Sequence, residues 1–195
     1  MIKISVVGDI GSGKTYISKL FRAPYFSADD EITKLYKSNK KCFKKLKSKF
    51  PNFIKTFPIK KNELLEVINK DVINLKKIGL IVHPFVRKKF KEFLKINIKK
   101  KIVILDIPLY LENKMNKKDD VIIFLKTKKS DVNKRLRKRR NFNPKILNIL
   151  RSSQFSLKQK KNYSHYVLVN NYDSLIMRKK IKILKSKILN DRNSS

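Results

Sequence analysis

Glycine is nearly absent from this chain, and the place where it survives constrains the fold more than any other feature. Three of the four glycines in 195 residues, Gly8, Gly11 and Gly13, fall inside one short segment, Gly8-Asp9-Ile10-Gly11-Ser12-Gly13-Lys14-Thr15. The segment matches the G-x-x-x-x-G-K-[ST] pattern of a phosphate-binding loop. It follows an apolar run, Ile2–Val7, that reads as a buried strand, and it precedes a helical pattern from about Thr15 to Phe21. Glycines let successive backbone N–H groups turn toward phosphate oxygens, at the positive end of the helix that follows. Lys14 is then expected to reach the β- and γ-phosphates of a nucleotide, and the Thr15 hydroxyl to ligate Mg²⁺. A chance glycine-rich turn competes with this reading. It is the weaker one, because a sequence poor in glycine has kept it where a backbone must approach a ligand.

Strand and helix patterns alternate beyond the loop. Tyr25–Ala28 reads as a short second strand after Pro24, and Asp29-Asp30 stand where a helix begins, with Ile32, Leu35 and Tyr36 at helical spacing behind them. Residues 37–61 are rich in Lys and Phe and broken by Pro51 and Pro58; helical patterns follow over 62–76 and 84–99. Ile102–Asp106, Val121–Leu125 and Tyr166–Val169 are continuous apolar runs, the form taken by strands buried on both faces of a parallel sheet. Helices are expected at about Ser130–Arg139, Pro144–Lys161 and Ser174–Leu189, with residues 192–195 as a frayed tail. The order predicts an α/β protein with a five-stranded parallel sheet between helical layers. At 195 residues it is read as one domain.

The charge is extreme but diffuse. Lys and Arg number 50 against 15 Asp and Glu, a net +35, which invites a nucleic-acid reading. Only nine of those cations are Arg, and the 41 Lys are spread along the whole chain. That pattern reads as a solvated surface in a compositionally biased protein, with no clustered stripe for a duplex and no evident set of stacking residues. A basic nucleic-acid-binding ATPase is the rival from another class. No stretch approaches the ~20 apolar residues of a membrane span, and Cys42, the only cysteine, permits no internal disulfide and reads as an inert filler. The expectation is a soluble, cytoplasmic protein, a monomer, with a small-molecule partner and no specific nucleic acid.

A phosphate loop alone does not separate kinases, GTPases and motors. The guanine-reading Asn-Lys-x-Asp pattern is missing after any suitable strand; Asn69-Lys70-Asp71 is the nearest approach, lies in a helical pattern and has the wrong spacing. The chain is also short for a helicase core. A small kinase acting on a metabolite or nucleotide fits the length best.

Several blocks, taken in order, then converge. Gly8–Thr15 is followed by Ser27-Ala28-Asp29, His83-Pro84-Phe85-Val86-Arg87, Asp106-Ile107-Pro108-Leu109 with Glu112-Asn113, Arg135-Leu136-Arg137-Lys138-Arg139, and finally Gln154, Lys160 and Val167–Asn170. Together they resemble the dephospho-CoA kinase family over roughly residues 2–176. The resemblance implies the three-layer sandwich of P-loop NTPases, with a helical acceptor-binding segment near 35–100 and a lid near 128–145. It implies ATP and Mg²⁺, and transfer of a phosphoryl group to the ribose 3′-hydroxyl of dephospho-CoA. Another nucleoside or nucleotide kinase of this fold is the alternative within enzymes. Two positions depart from the family pattern: Asp9 stands where the family has Gly, and Ser27 replaces the first Asp of an Asp-Ala-Asp triplet.

The same resemblance suggests roles. Asp29 is expected to be the general base, against the alternative that Asp29 or Asp30 merely caps a helix. Asp106, at a strand's carboxyl end, is expected to hold Mg²⁺ through water or to orient Pro108 and the acceptor loop. His83 and Arg87 are expected to contact the acceptor, although His83-Pro84 could equally be an ordinary helix start. Arg135 and Arg139, spaced i and i+4, are expected to reach ATP from the lid, with a solvated helix face as the rival.

Overall fold

Ile4, Ile104 and Ile123 are fully buried, one on each of three adjacent strands. The computed structural model describes residues 1–138 and 142–193. Its strands are β1 (Ile2–Gly8), β2 (Tyr25–Ser27), β3 (Ile102–Asp106), β4 (Val121–Lys126) and β5 (Tyr166–Val169). They form one all-parallel sheet in the order β2-β3-β1-β4-β5. The pairing registers set Ile4 opposite both Ile104 and Val121, Val6 opposite Ile123, and Leu125 opposite Leu168. Side chains alternate along a strand, so these residues share one face. On that face they pack with Ile17 and Phe21 of α1 (Lys14–Leu20 and its cap) and with Met177, Ile181 and Ile188 of α9 (Ser174–Asn193). The intervening residues Val7, Val103, Leu105, Ile122 and Phe124 are buried too, so both faces are covered. This double burial explains why β3 and β4 read as unbroken apolar runs. The edge strand β5, read from sequence as buried on both faces, instead leaves Val167 and Val169 exposed on one of them.

Two compact units make up the chain: Met1–Phe26 with Lys99–Ser195, and Ser27–Ile98. The first contains the sheet, together with α6 (Lys129–Arg137), α7 (Pro144–Ser152) and α8 (Leu157–Asn162). It also contains a polar node. Asp120, 1% exposed, accepts from the Tyr110 hydroxyl at 2.6 Å and the Lys117 N–H at 2.8 Å and pairs with Lys3. The second unit is helical: α2 (Ala28–Ser38), α3 (Lys40–Lys49), α4 (Lys61–Lys70) and α5 (Ile73–Ile96). Leu35, Cys42, Leu46, Ile54, Val67, Ile78 and Val82 form its interior. Burial raises the Cys42 thiol's pKa, which agrees with a filler role.

The helices correct the sequence reading in four places. A helix, α3, occupies part of the Lys- and Phe-rich stretch to which no element was assigned. The patterns at 62–76 and 84–99 are instead α4 and a single α5 that runs through Pro84, so His83-Pro84 is not a helix start. The carbonyl that loses its partner to Pro84 is that of Leu80, a residue on the exposed side of the helix. The expected helix over Pro144–Lys161 is two, α7 and α8; Ser156 caps the second through a reciprocal bond with Gln159. Finally, α9 continues past Leu189 to Asn193, into the stretch read as a frayed tail.

Candidate active site

The segment Gly8–Thr15 joins β1 to α1, as its sequence requires. Gly13 sits at the head of α1 with φ +94°, the left-handed region, and no side chain caps that helix. A Cβ on Gly8 would stand 2.8 Å from the Leu125 carbonyl oxygen, a backbone atom that cannot swing aside. α1 therefore starts at the loop, with the positive end of its dipole toward it. Ser12 is fully buried, and its carbonyl accepts from Asn170 Nδ2 at 2.9 Å. Ile10 and Gly11 complete the turn. Lys14 Nζ lies over the same loop, donating to the Asp9 carbonyl at 2.8 Å and the Gly8 carbonyl at 3.3 Å.

Thr15 and Asp106 come together beside this loop. Thr15 Oγ1 donates to Asp106 Oδ2 at 2.6 Å, and the Tyr25 hydroxyl donates to the same oxygen at 2.7 Å. Asp106 ends β3, where open α/β sheets bind ligands. Pro108 is exposed two residues further on. A hydroxyl and a carboxylate at the mouth of a phosphate loop form the hard-oxygen donor set Mg²⁺ uses when phosphates and water complete its shell.

Beneath the loop lies a buried cation that sequence reasoning named within a motif but gave no role. Lys160 is 2% exposed; its ammonium donates to Gln154 Oε1 at 2.6 Å and the Gly8 carbonyl at 3.4 Å, and pairs with Glu112 at 3.3 Å. Glu112 also accepts from the Phe155 N–H at 2.9 Å. The motif residues Glu112, Gln154 and Lys160 therefore form one network that fixes the loop's first carbonyl. Arg135, on α6, stacks its guanidinium on the Tyr172 ring at 4.5 Å from the centroid. Tyr172 in turn lies in the turn after β5 that Asn170 ties to the phosphate loop. Tyr25, Arg151 and Tyr172 were missed altogether. Arg139 lies outside the described residues.

Asp29, His83 and Arg87 belong to the helical unit. Ser27, and not Asp29 or Asp30, caps α2: its side chain accepts from the Asp30 N–H at 3.1 Å. The departure from the family triplet thus supplies the cap, and Asp29 stands exposed in the first turn. His83 and Arg87 are exposed one turn apart on α5, with the His83 ring against Gly79. Loss of hydration there, and secondly the Arg87 charge, hold the His83 imidazole below its ordinary pKa.

The five-stranded parallel sheet, the loop after its central strand and the Thr15–Asp106 pair define a P-loop nucleotide-binding protein. Two solved structures share the fold: a Thermus thermophilus protein with TM-score 0.75 and 23% identity, covering 95% of this chain and 97% of that one, and the dephospho-CoA kinase from Campylobacter jejuni with TM-score 0.66 and 18% identity, covering 95% and 96%. Among curated proteins, the chain is 29% identical to the dephospho-CoA kinase of Bartonella henselae over 87% of its own length and 89% of that protein's. It is 27% identical to that of Ehrlichia canis over 94% and 96%. The dephospho-CoA kinase family model matches residues 2–175, and the chain belongs to that family. It is an ATP-dependent kinase. Among the described residues, no helix is long and apolar enough to cross a membrane.

Proposed function

We propose that the protein transfers the γ-phosphoryl group of ATP to the ribose 3′-hydroxyl of dephospho-CoA, forming coenzyme A and ADP. The observation that carries this reading is the family match over residues 2–175, joined to a phosphate loop that carries Lys14 and whose Thr15 pairs with Asp106 at the carboxyl end of β3. The backbone N–H groups of Gly11–Thr15 and Lys14 Nζ would hold the β- and γ-phosphates, Lys14 leaving the carbonyls of Gly8 and Asp9 to do so. Thr15 and Asp106 would hold Mg²⁺, which when bound neutralises phosphate oxygens.

Asp29 accepts the proton of the 3′-hydroxyl as that oxygen bonds to the γ-phosphorus and the bond to the β–γ bridging oxygen breaks, ADP leaving with the electron pair. Its support is its place in the Ser27-Ala28-Asp29 block. His83 offers the acceptor a hydrogen bond, and Arg87 a charge for its diphosphate. Pro108 shapes the acceptor loop beyond Asp106. Arg135 and Arg139, within a lid over about 128–145, close on the nucleotide and exclude water. The whole chain, 1–195, acts as one kinase domain, a cytoplasmic monomer, with 35–100 as its acceptor segment.

The test is product identity. Incubation with ATP, Mg²⁺ and dephospho-CoA yields a species one phosphate heavier whose new phosphate is removed by a 3′-nucleotidase. A new phosphate on adenosine or AMP, with none on dephospho-CoA, overturns the acceptor assignment.

A further inference from the structure

Asp9 puts a carboxylate inside a loop built to bind anions. Its Oδ1 accepts from the Ile10 N–H at 2.7 Å, so the side chain folds back onto the loop. Arg151, the next-to-last residue of α7, closes over it with the Nε–Nη2 edge of its guanidinium. Nη2 donates to Asp9 Oδ2 at 3.0 Å and Nε donates to Oδ1 at 3.3 Å. The side chains are 17% and 33% exposed, so the pair is partly withdrawn from water and partly screened by it.

Two effects of Asp9 oppose nucleotide binding. Its negative charge repels phosphate oxygens, and its carboxylate occupies the Ile10 N–H, one of the loop's own donors. Bidentate pairing with Arg151 cancels the first effect, because a guanidinium fork matches a carboxylate in charge and geometry. A lysine would supply the charge without the fork. The two residues are 142 positions apart, so only the fold brings the cation to the loop.

We propose that Arg151 is a charge-masking residue, whose role in nucleotide binding is to neutralise Asp9. This rests on the reading of Gly8–Thr15 as an ATP-binding loop. It differs from the simpler idea that Arg151 grips the nucleotide, because a masking residue is needed only while Asp9 is present. The dependence of one substitution on the other separates the two.

The experiment is a double-mutant cycle read as affinity for a non-hydrolysable Mg²⁺–ATP analogue by calorimetry, in wild type, Asp9→Gly, Arg151→Met and the double variant. Melting curves accompany each protein, and Asp9→Asn with Arg151→Gln form a second cycle should a first variant fail to fold. For a pair between the exposed and buried limits, Arg151→Met should weaken binding about ten- to a hundredfold. Asp9→Gly should bind no more weakly than wild type, and the double variant should lie within about threefold of Asp9→Gly. A double variant as weak as Arg151→Met, or an Arg151→Met protein that binds like wild type, overturns the proposal. Wild-type protein that binds no nucleotide overturns both the proposal and the reading of the loop. Wild-type protein that binds nucleotide without phosphorylating dephospho-CoA overturns only the acceptor assignment, and the cycle still decides the role of Arg151.

Discussion

Thr15 Oγ1, in the first turn of α1, donates a 2.6 Å hydrogen bond to Oδ2 of Asp106, the last residue of β3. Ninety-one positions of sequence separate them, and the parallel pairing of β1 with β3 brings them to one edge of the sheet. If this pair holds Mg²⁺, then Thr15→Ala and Asp106→Asn should each lower kcat/KM by about a hundredfold, a transition-state cost of roughly 3 kcal/mol. Both should raise the Mg²⁺ concentration giving half-maximal ADP release. A lower rate with an unchanged Mg²⁺ dependence would assign the pair a structural role only.

Gly13→Ala forces a Cβ into a backbone with φ +94°, 3.0 Å from Asn170 Nδ2. The left-handed conformation should cost about 1–2 kcal/mol, lowering Tm by about 2–8 °C in a chain of this size. Thermal melts with and without ATP analogue check it, and the stabilisation that nucleotide gives should shrink as well, since Asn170 also braces the Ser12 carbonyl.

Asp120→Ala removes the acceptor of the buried Tyr110 hydroxyl and the partner of Lys3. Stability should fall by about 2–4 kcal/mol, measured as the shift in urea midpoint at constant slope. Tyr110→Phe in the same background should recover part of the loss, because the orphaned hydroxyl is then gone.

Glu63 gives the helical unit an acid-sensitive contact. Burial works against its charge, but donors from the Lys55, Thr56 and Lys60 N–H groups and the Thr56 hydroxyl outweigh burial and hold its pKa below the ordinary value. Its contribution is therefore fully present above the unfolded-state pKa of about 4.3 and is lost as pH falls through the lower folded value. Glu63→Gln should reduce stability at pH 7 and make the decline of stability below about pH 4 shallower. An unchanged acid limb would contradict the assignment.

What the sequence disclosed follows its local physics. Ile102–Asp106 and Val121–Leu125 were plain because strands buried on both faces leave no polar alternation to confuse. The loop was plain because its glycines and Lys14 lie together. α3 was hidden because only Cys42 and Leu46 of its residues are buried, leaving a lysine-rich face that reads as loop. The division between α7 and α8 is legible in Ser156 and Gln159, an N-terminal capping pair inside the apolar pattern of Pro144–Lys161. The Asp9–Arg151 pair was not, because nothing local distinguishes Arg151 among 50 cations. Likewise, Ser27 looked like a lost carboxylate until the structure gave it the cap of α2.

The most direct measurement is ADP release from ATP and Mg²⁺ with dephospho-CoA, adenosine or AMP as acceptor, comparing wild type with Asp29→Asn. The account predicts turnover that depends on dephospho-CoA and falls by about 10²–10⁴-fold in Asp29→Asn, with ATP-analogue affinity within about threefold of wild type. Turnover of dephospho-CoA that survives Asp29→Asn, or that appears only with another acceptor, would contradict it.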